Sequence, residues 1–226
     1  MAGNDNAEAK KIALEAINRV HAKGITIKEL TAMYDKWADT YDKEISPEVY
    51  KGPIYVAEAL AELYDGSSKP RRWEAKILDI AAGTGRIGIH LFELGFRQID
   101  ALDPSEKMLE KLRRLGIYGI TWRDTIGIHQ TEIPDGAYDA TVSSGAFGGG
   151  HMPVKAIHEM VRIVRPGGFI VNIIREEYLT TTEEYSKMEA LYKELQDNQK
   201  LIQVSRKVVP QYSLDNNGVV FVHKVL

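Results

Sequence analysis

Cysteine is absent from all 226 residues. That removes disulfides, thiolate zinc sites and a cysteine nucleophile, and it fits a reducing compartment. A basic excess is also missing: 29 Lys and Arg stand against 32 Asp and Glu, for a formal charge of −3 and a pI near 6.1. A broad phosphate-binding face would show the opposite balance, so nucleic acid is not expected as the main partner. No apolar run approaches the length of a membrane span, and Met1 to Asn18 lacks the apolar core of a signal peptide. A soluble, cytoplasmic chain with no membrane partner is the expectation. The six histidines form no close ligand pair, His151 and His158 being two helical turns apart at best, so no metal is expected.

What is present can bury a sizeable core. The chain is 44% hydrophobic, and domains of roughly 100–250 residues are ordinary, so residues 1–226 are expected to form one domain. Its first part, 1–64, reads as a helical cap. Asp5-x-x-Glu8 and Thr26-x-x-Glu29 both have the spacing of a capping box, and the first helix is expected to stop at Gly24. The second helix places Leu30, Met33, Tyr34, Trp37 and Tyr41 on one stripe. Ser46-Pro47 suits a short helix start, and Pro53 opens a helix carrying Val56, Ala57, Leu60, Leu63 and Tyr64.

From 76 to 226 strand-like and helix-like segments alternate. Strands are expected at Lys76–Ala82, Gln98–Asp103, Gly119–Arg123, Tyr138–Ser143 and Phe169–Ile174, with helices reaching Gly95, Leu115 and Val164 between them. This is the rhythm of a parallel sheet covered on both faces. Pro166-Gly167-Gly168 should stop the last of these helices. Glu183–Gln199 reads as a further helix, and Leu201–Val209 with Val219–Val225 as a hairpin around Asp215-Asn216-Asn217-Gly218.

The chemistry concentrates where the first strand runs into Gly83-x-Gly85-x-x-Gly88. Glycines there let the backbone take positive φ and approach a ligand, while the following helix aims free N–H groups into the same space. The pattern suits a nucleotide-like cofactor, either a dinucleotide or S-adenosylmethionine (SAM). Asp103 lies 20 residues past Gly83 at another strand end, where a carboxylate can accept hydrogen bonds from both ribose hydroxyls. Asp79, inside the first strand, favours SAM: a dinucleotide enzyme usually keeps that strand apolar, whereas a carboxylate there can organise the glycine loop or reach a methionine amino group.

Together these segments resemble the class I SAM-dependent methyltransferases. Leu78-Asp79-Ile80-Ala81-Ala82-Gly83-Thr84-Gly85 matches the family's glycine motif, Leu102-Asp103-Pro104-Ser105-x-x-Met108-Leu109 its ribose motif and Asp124-Thr125 its adenine motif. Ile133 to Asp139 and Arg165 to Gly168 follow in order. Tyr34 to Asp42 and Gly145-Ala146-Phe147-x-x-Gly150-x-Met152-Pro153 are similar to the methyltransferase-like branch named for the Williams-Beuren syndrome critical region.

The resemblance implies a Rossmann-like α/β fold with a mostly parallel seven-stranded sheet, its last strand antiparallel, and a SAM-binding core at 76–226. It also implies roles. Backbone from Ala81 through Ala82 and Gly83 to Gly85 would hold the methionine portion, Asp103 the ribose, Pro104 and Met108 the adenine faces, Asp124 the adenine amino group with Thr125 beside it, and Ser143 a backbone contact near the sulfonium. Ala81 stands where the widest family pattern has glycine, which implies a backbone needing no positive φ. Tyr34 and Tyr41, with Trp37, are expected to close over the cofactor. His151, after Gly148-Gly149-Gly150, is a candidate general base. The expected reaction is methyl transfer from SAM to a small molecule, with a nicotinamide oxidoreductase and a non-catalytic SAM-binding module as alternatives. The acceptor pocket is placed among the cap, Gly148–Met152 and Arg175–Glu183.

Overall fold

The computed structural model describes residues 2–20, 24–65 and 70–226, with residues 2–6 as backbone only. The chain opens with α1 (Ala2–Val20), α2 (Ile27–Trp37), α3 (Tyr41–Glu44) and α4 (Gly52–Leu63). Thr26 caps α2 with the full box: its Oγ1 accepts from Glu29 N at 3.2 Å, and Glu29 accepts from Thr26 N at 2.9 Å. The helix start expected at Asp5 lies earlier in the structure: α1 already runs from Ala2, with Asp5 inside it. The stop at Gly24 follows residues outside those described; Gly24 itself takes φ +78°. Ser46-Pro47 starts only one turn, with the N–H groups of Val49 and Tyr50 both on Ser46 O at 3.1 Å, before Tyr50 leaves to bridge Ser213.

The remainder is β1 (Lys76–Ile80), α5 (Arg86–Glu93), β2 (Gln98–Leu102), α6 (Glu106–Arg113), β3 (Thr121–Trp122), β4 (Tyr138–Ser144), α7 (Ala156–Ile163), β5 (Val164–Arg175), α8 (Tyr178–Thr181), a 3₁₀ turn (Tyr185–Lys187), α9 (Met188–Asp197), β6 (Leu201–Ser213) and β7 (Asn216–Val225). The sheet order is β3-β2-β1-β4-β5-β7-β6. Strands β3 to β5 pair in parallel, and β7 runs antiparallel to both β5 and β6.

Alternation along β1 divides the core. Leu78 and Ile80 face α7 and α9, whereas Ile77 packs with Val56, Leu60, Ile87 and Leu91 on the opposite side. That second face belongs to α4 and α5, so α4 covers the sheet. A separate apolar cluster of Ala13, Ala16, Val20, Leu30, Trp37, Ile45 and Val49 joins α1 to α3.

Three local expectations differ from the structure. Pro166-Gly167-Gly168 ends the helix but stays within β5 as a bulge, where pairing shifts from Tyr138↔Val164 to Ala140↔Phe169. The expected single helix over 183–199 is broken near 182–187 because Glu184 accepts Val154 N at 2.8 Å and the Tyr185 hydroxyl accepts Gly148 N at 2.9 Å, which pins this turn to the loop after β4. The hairpin turns earlier than expected, at Leu214-Asp215, since Ser213 pairs with Asn216 and Leu214 N bonds Val49 O at 2.6 Å. Gly218 remains in β7, where a Cβ would meet the Tyr212 side chain at 2.7 Å.

Candidate active site

Parallel strands deliver ligand-binding residues at their carboxyl ends, beside the point where strand order reverses. Here β1 and β4 flank that point. The chain leaving β1 makes a left-handed turn, with φ +55° at Ala81, +55° at Gly83 and +91° at Gly85. The reading of Ala81 as free of positive φ is therefore corrected: the turn begins there, and alanine takes the strained region.

The three motif glycines have separate jobs. A Cβ on Gly83 would meet nothing within 4 Å, so its face is open to the cleft. One on Gly85 would strike Leu115 at 2.7 Å, and one on Gly88 the Tyr118 hydroxyl at 2.1 Å, so these two serve packing. Beneath the loop, Gly88 N donates to Tyr118 Oη at 3.0 Å and Tyr118 donates to Asp79 Oδ2 at 2.7 Å. Asp79 is fully buried, its Oδ1 has no partner, and burial pushes its carboxyl up to about 7. It supports the loop from below and does not line the cavity.

Asp103 forms the next wall. Its Oδ2 accepts Gly83 N and its Oδ1 accepts Ser105 N, both at 2.8 Å, so one carboxylate ties the glycine turn to the start of α6. Burial pushes this carboxyl up to about 6 against those hydrogen bonds. The cleft above spans about 810 Å³, part of it open to solvent, a size ordinary for small-ligand sites. Among the expected residues, Tyr34, Tyr41, Ala81, Gly83, Asp103, Pro104, Met108 and Thr125 line it.

Others sit apart. Asp124 borders an adjoining groove that shares Thr31, Pro104 and Thr125 with the cleft, and its carboxylate holds Thr125 N at 2.6 Å and His129 Nε2 at 3.2 Å. Ala82 packs with Ala101, Leu109 and Leu112. Ser143 turns its hydroxyl to Asn172 Oδ1 at 2.7 Å inside the core, and Ser144 and Gly145 reach the cleft instead.

The cap docks through polar contacts that periodicity cannot reveal. Asp35 Oδ1 accepts Ser105 Oγ at 2.6 Å and Lys107 N at 3.2 Å. Asp42 Oδ1 accepts Thr84 Oγ1 at 2.7 Å and Arg86 Nε at 3.1 Å. Arg86 also lies 5.7 Å from the Tyr41 ring centre, and its Nη1 is buried with no hydrogen-bond partner. Tyr34 Oη meets His151 Nε2 at 2.7 Å, while His151 Nδ1 lies 2.9 Å from Gly149 O. A carbonyl can only accept, so Nδ1 carries the proton and Nε2 accepts from Tyr34.

A second cavity of about 550 Å³ abuts the first, with Tyr34, Tyr41 and Gly145 common to both linings. Trp37, Tyr50, Phe147, Arg175, Tyr178 and Tyr212 are among its other walls. Among the described residues, no group of three or more His, Cys, Asp or Glu side chains could hold a metal ion, and no helix is long and apolar enough to cross a membrane.

Residues 77–168 match the methyltransferase domain family. The human methyltransferase-like protein 27 is 33% identical over 137 residues, 61% of this chain and 54% of that protein. The chain thus spans about half the length of this curated relative. Among solved structures, the putative methyltransferase in complex with the Trm112 methyltransferase activator of Haloferax volcanii superposes with a TM-score of 0.59 at 15% identity, over 85% of this chain and 97% of that one. A putative SAM-dependent methyltransferase of Methanococcus maripaludis gives 0.53 at 19%, over 90% and 95%. Those identities speak for the fold, and the domain match runs through the glycine turn and Asp103. With that match, residues 77–168 are similar to a methyltransferase domain, and the sheet topology is that of the Rossmann-like α/β fold its structural neighbours share.

Proposed function

We propose that the chain transfers a methyl group from SAM to a small organic acceptor, within one domain in which α1 to α3 cap the core. The observation that carries this reading is the contact between the two cavities. One is walled by the glycine turn and Asp103, the other by aromatic side chains, and two phenols and a glycine divide them. When bound, SAM supplies a methyl group already activated on a sulfonium.

On this reading Asp103 accepts from the ribose hydroxyls, and Pro104 and Met108 cover the adenine with Thr125 and Asp124 at its edge. Backbone from Ala81 to Gly85 would cradle the methionine portion. Ser144 and Gly145, one and two residues beyond Ser143, stand at the reacting end. Tyr34 and Tyr41 exclude water and present ring faces to the cation.

In-line placement of the acceptor is the main requirement. Tyr34, Tyr41 and Gly145, the wall common to both cavities, would hold the acceptor's nucleophilic atom against the donor side. A protonated acceptor gives its proton to Tyr34 Oη while Tyr34 passes its own to His151 Nε2, the ring nitrogen it already hydrogen-bonds. Burial holds the Tyr34 phenol well above its ordinary pKa, so Tyr34 relays the proton without becoming an anion. Nucleic acid is not proposed as the acceptor: the charge of −3 offers little attraction to phosphates.

The test has two arms. SAM and S-adenosylhomocysteine should each raise the melting temperature of the full chain and NADH should not, by selective binding to the folded state. Labelled SAM should transfer label to a component of a small-metabolite extract. Stabilisation by NADH alone would restore the oxidoreductase reading, and SAM binding with no transfer to any extract would favour the non-catalytic module.

A further inference from the structure

We infer that the second cavity takes a small aromatic carboxylic acid as the methyl acceptor, with Arg175 fixing its carboxylate; this rests on the methyl-transfer reading above. The cavity is an aromatic chamber with a single formal charge. Among the described residues that line it, Trp37, Tyr50, Phe147, Tyr178 and Tyr212 supply rings, and Arg175 is the sole ionised side chain. Ring walls favour a flat, apolar guest through edge and face contacts.

Arg175 ends β5, beside the strand that delivers Ser144 and Gly145, so it stands at the same carboxyl edge of the sheet as the donor cleft. Its side chain is only 16% exposed and its guanidinium lies 5.2 Å from the Tyr178 ring centre. Its ion-pair partner is Glu177, reached by Nη1 at 3.0 Å, and Glu177 is 49% exposed. A half-exposed carboxylate at the rim is a weak, solvent-screened partner. The planar fork of an arginine matches a carboxylate with two parallel hydrogen bonds, and it can do so while stacked on a ring. An acid entering the chamber therefore meets a partly desolvated guanidinium that the rim does not saturate. A cationic guest would be repelled, and a neutral one would leave that charge buried without a second partner. With the carboxylate at Arg175, the guest's body fills the ring-lined space that ends at Tyr34, Tyr41 and Gly145, the wall shared with the donor cleft. A ring hydroxyl or amine, not the carboxylate, therefore takes the methyl group, its proton passing to Tyr34 Oη and S-adenosylhomocysteine leaving. Acids without such a group serve as binding probes only.

The test uses the full chain saturated with S-adenosylhomocysteine and follows binding by calorimetry. The probes are benzoate, 2-hydroxybenzoate, 4-hydroxybenzoate and indole-3-carboxylate, each paired with its neutral amide, plus cyclohexanecarboxylate as the non-aromatic acid. At least one aromatic acid should bind tenfold or more tightly than both its amide and cyclohexanecarboxylate. Arg175→Met should erase the preference for acid over amide, and Arg175→Lys should keep part of it, both with S-adenosylhomocysteine affinity within about twofold of wild type. The acid–amide comparison on the wild-type chain needs no variant to fold. Equal binding of acid and amide, no binding of any acid, or transfer of labelled methyl to bulk tRNA in place of the acids would overturn the inference. Failure of the wild-type chain to bind S-adenosylhomocysteine would strike the methyl-transfer reading itself, a separate result.

Discussion

The two walls of the donor cleft are built from different materials. The sheet wall is backbone: three left-handed residues, Ala81, Gly83 and Gly85, and one carboxylate that accepts two main-chain N–H groups. The cap wall is side chain: Asp35 on the start of α6, Asp42 on Thr84 and Arg86, and Tyr34 on His151 across 117 residues of sequence. A backbone cradle holds whatever nucleoside the fold presents, whereas side chains on a separate cap can be exchanged without disturbing the turn. On the proposed reading the first wall serves the donor and the second serves the acceptor and its proton.

The largest effect should fall on the cap side and on rate. Tyr34→Phe keeps the ring contacts with Trp37 and Tyr41 but removes the hydroxyl that reaches His151 Nε2. With an acceptor whose nucleophile carries a proton, single-turnover methyl transfer should slow by about 100-fold, the low end for general acid–base steps. S-adenosylhomocysteine affinity should stay within threefold. A rate equal to wild type would reduce the Tyr34–His151 pair to a strut between cap and loop.

The sheet side should answer in affinity. Asp103→Ala should weaken SAM binding by about 1–3 kcal/mol, the size of lost charge-assisted hydrogen bonds, and calorimetry reads it directly. Binding should also depend on pH in a definite direction. Burial pushes Asp103 up to about 6 and Asp79 up to about 7 from an ordinary 3.8. Between those values and 3.8 the folded, ligand-free chain takes up protons that the unfolded chain does not, which stabilises the free protein as pH falls. A cationic ligand that hydrogen-bonds the carboxylate must displace that proton, so SAM affinity should drop from pH 7.5 to pH 5. Asp103→Asn should flatten the portion near pH 6, and an unchanged profile would remove Asp103 from the ligand.

How much was legible in one sequence follows the same division. That Gly83, Asp103, Pro104, Met108 and Thr125 would line one cleft was legible because a turn, a strand end and a helix start need particular residue types at short, fixed spacings. The capping box at Thr26 was legible for the same reason. Asp35, Asp42 and Arg86 were not, since nothing in a helix period says which exposed carboxylate will face another element 44 or 70 residues away. Tyr118 could have been suspected only from Gly88, a glycine whose missing Cβ makes room for a hydroxyl. Arg175 and Tyr212 converge through the β5–β7–β6 order, a tertiary fact. The hairpin register was missed because Leu214 answers to Val49 rather than to the Asn-Gly turn signal three residues on.

The smallest effect tests the backbone wall at one methyl group. Ala81 and Gly83 take the same φ of +55°, yet one carries a Cβ and the other does not. A non-glycine residue in that region costs about 1–2 kcal/mol, and glycine's freedom in the unfolded chain returns about 0.5–1 kcal/mol of that. Ala81→Gly should therefore stabilise the fold by no more than about 1.5 kcal/mol, at roughly 2–4 °C in melting temperature per kcal/mol for a chain of this size. SAM affinity should stay within twofold. Gly83→Ala incurs similar strain but also sets a methyl on a face where nothing stands within 4 Å, the space assigned to the ligand. It should lower SAM affinity more than it lowers stability. If both substitutions changed stability alone, the open face at Gly83 would be spare volume, and the methionine portion would have to lie elsewhere along the cleft.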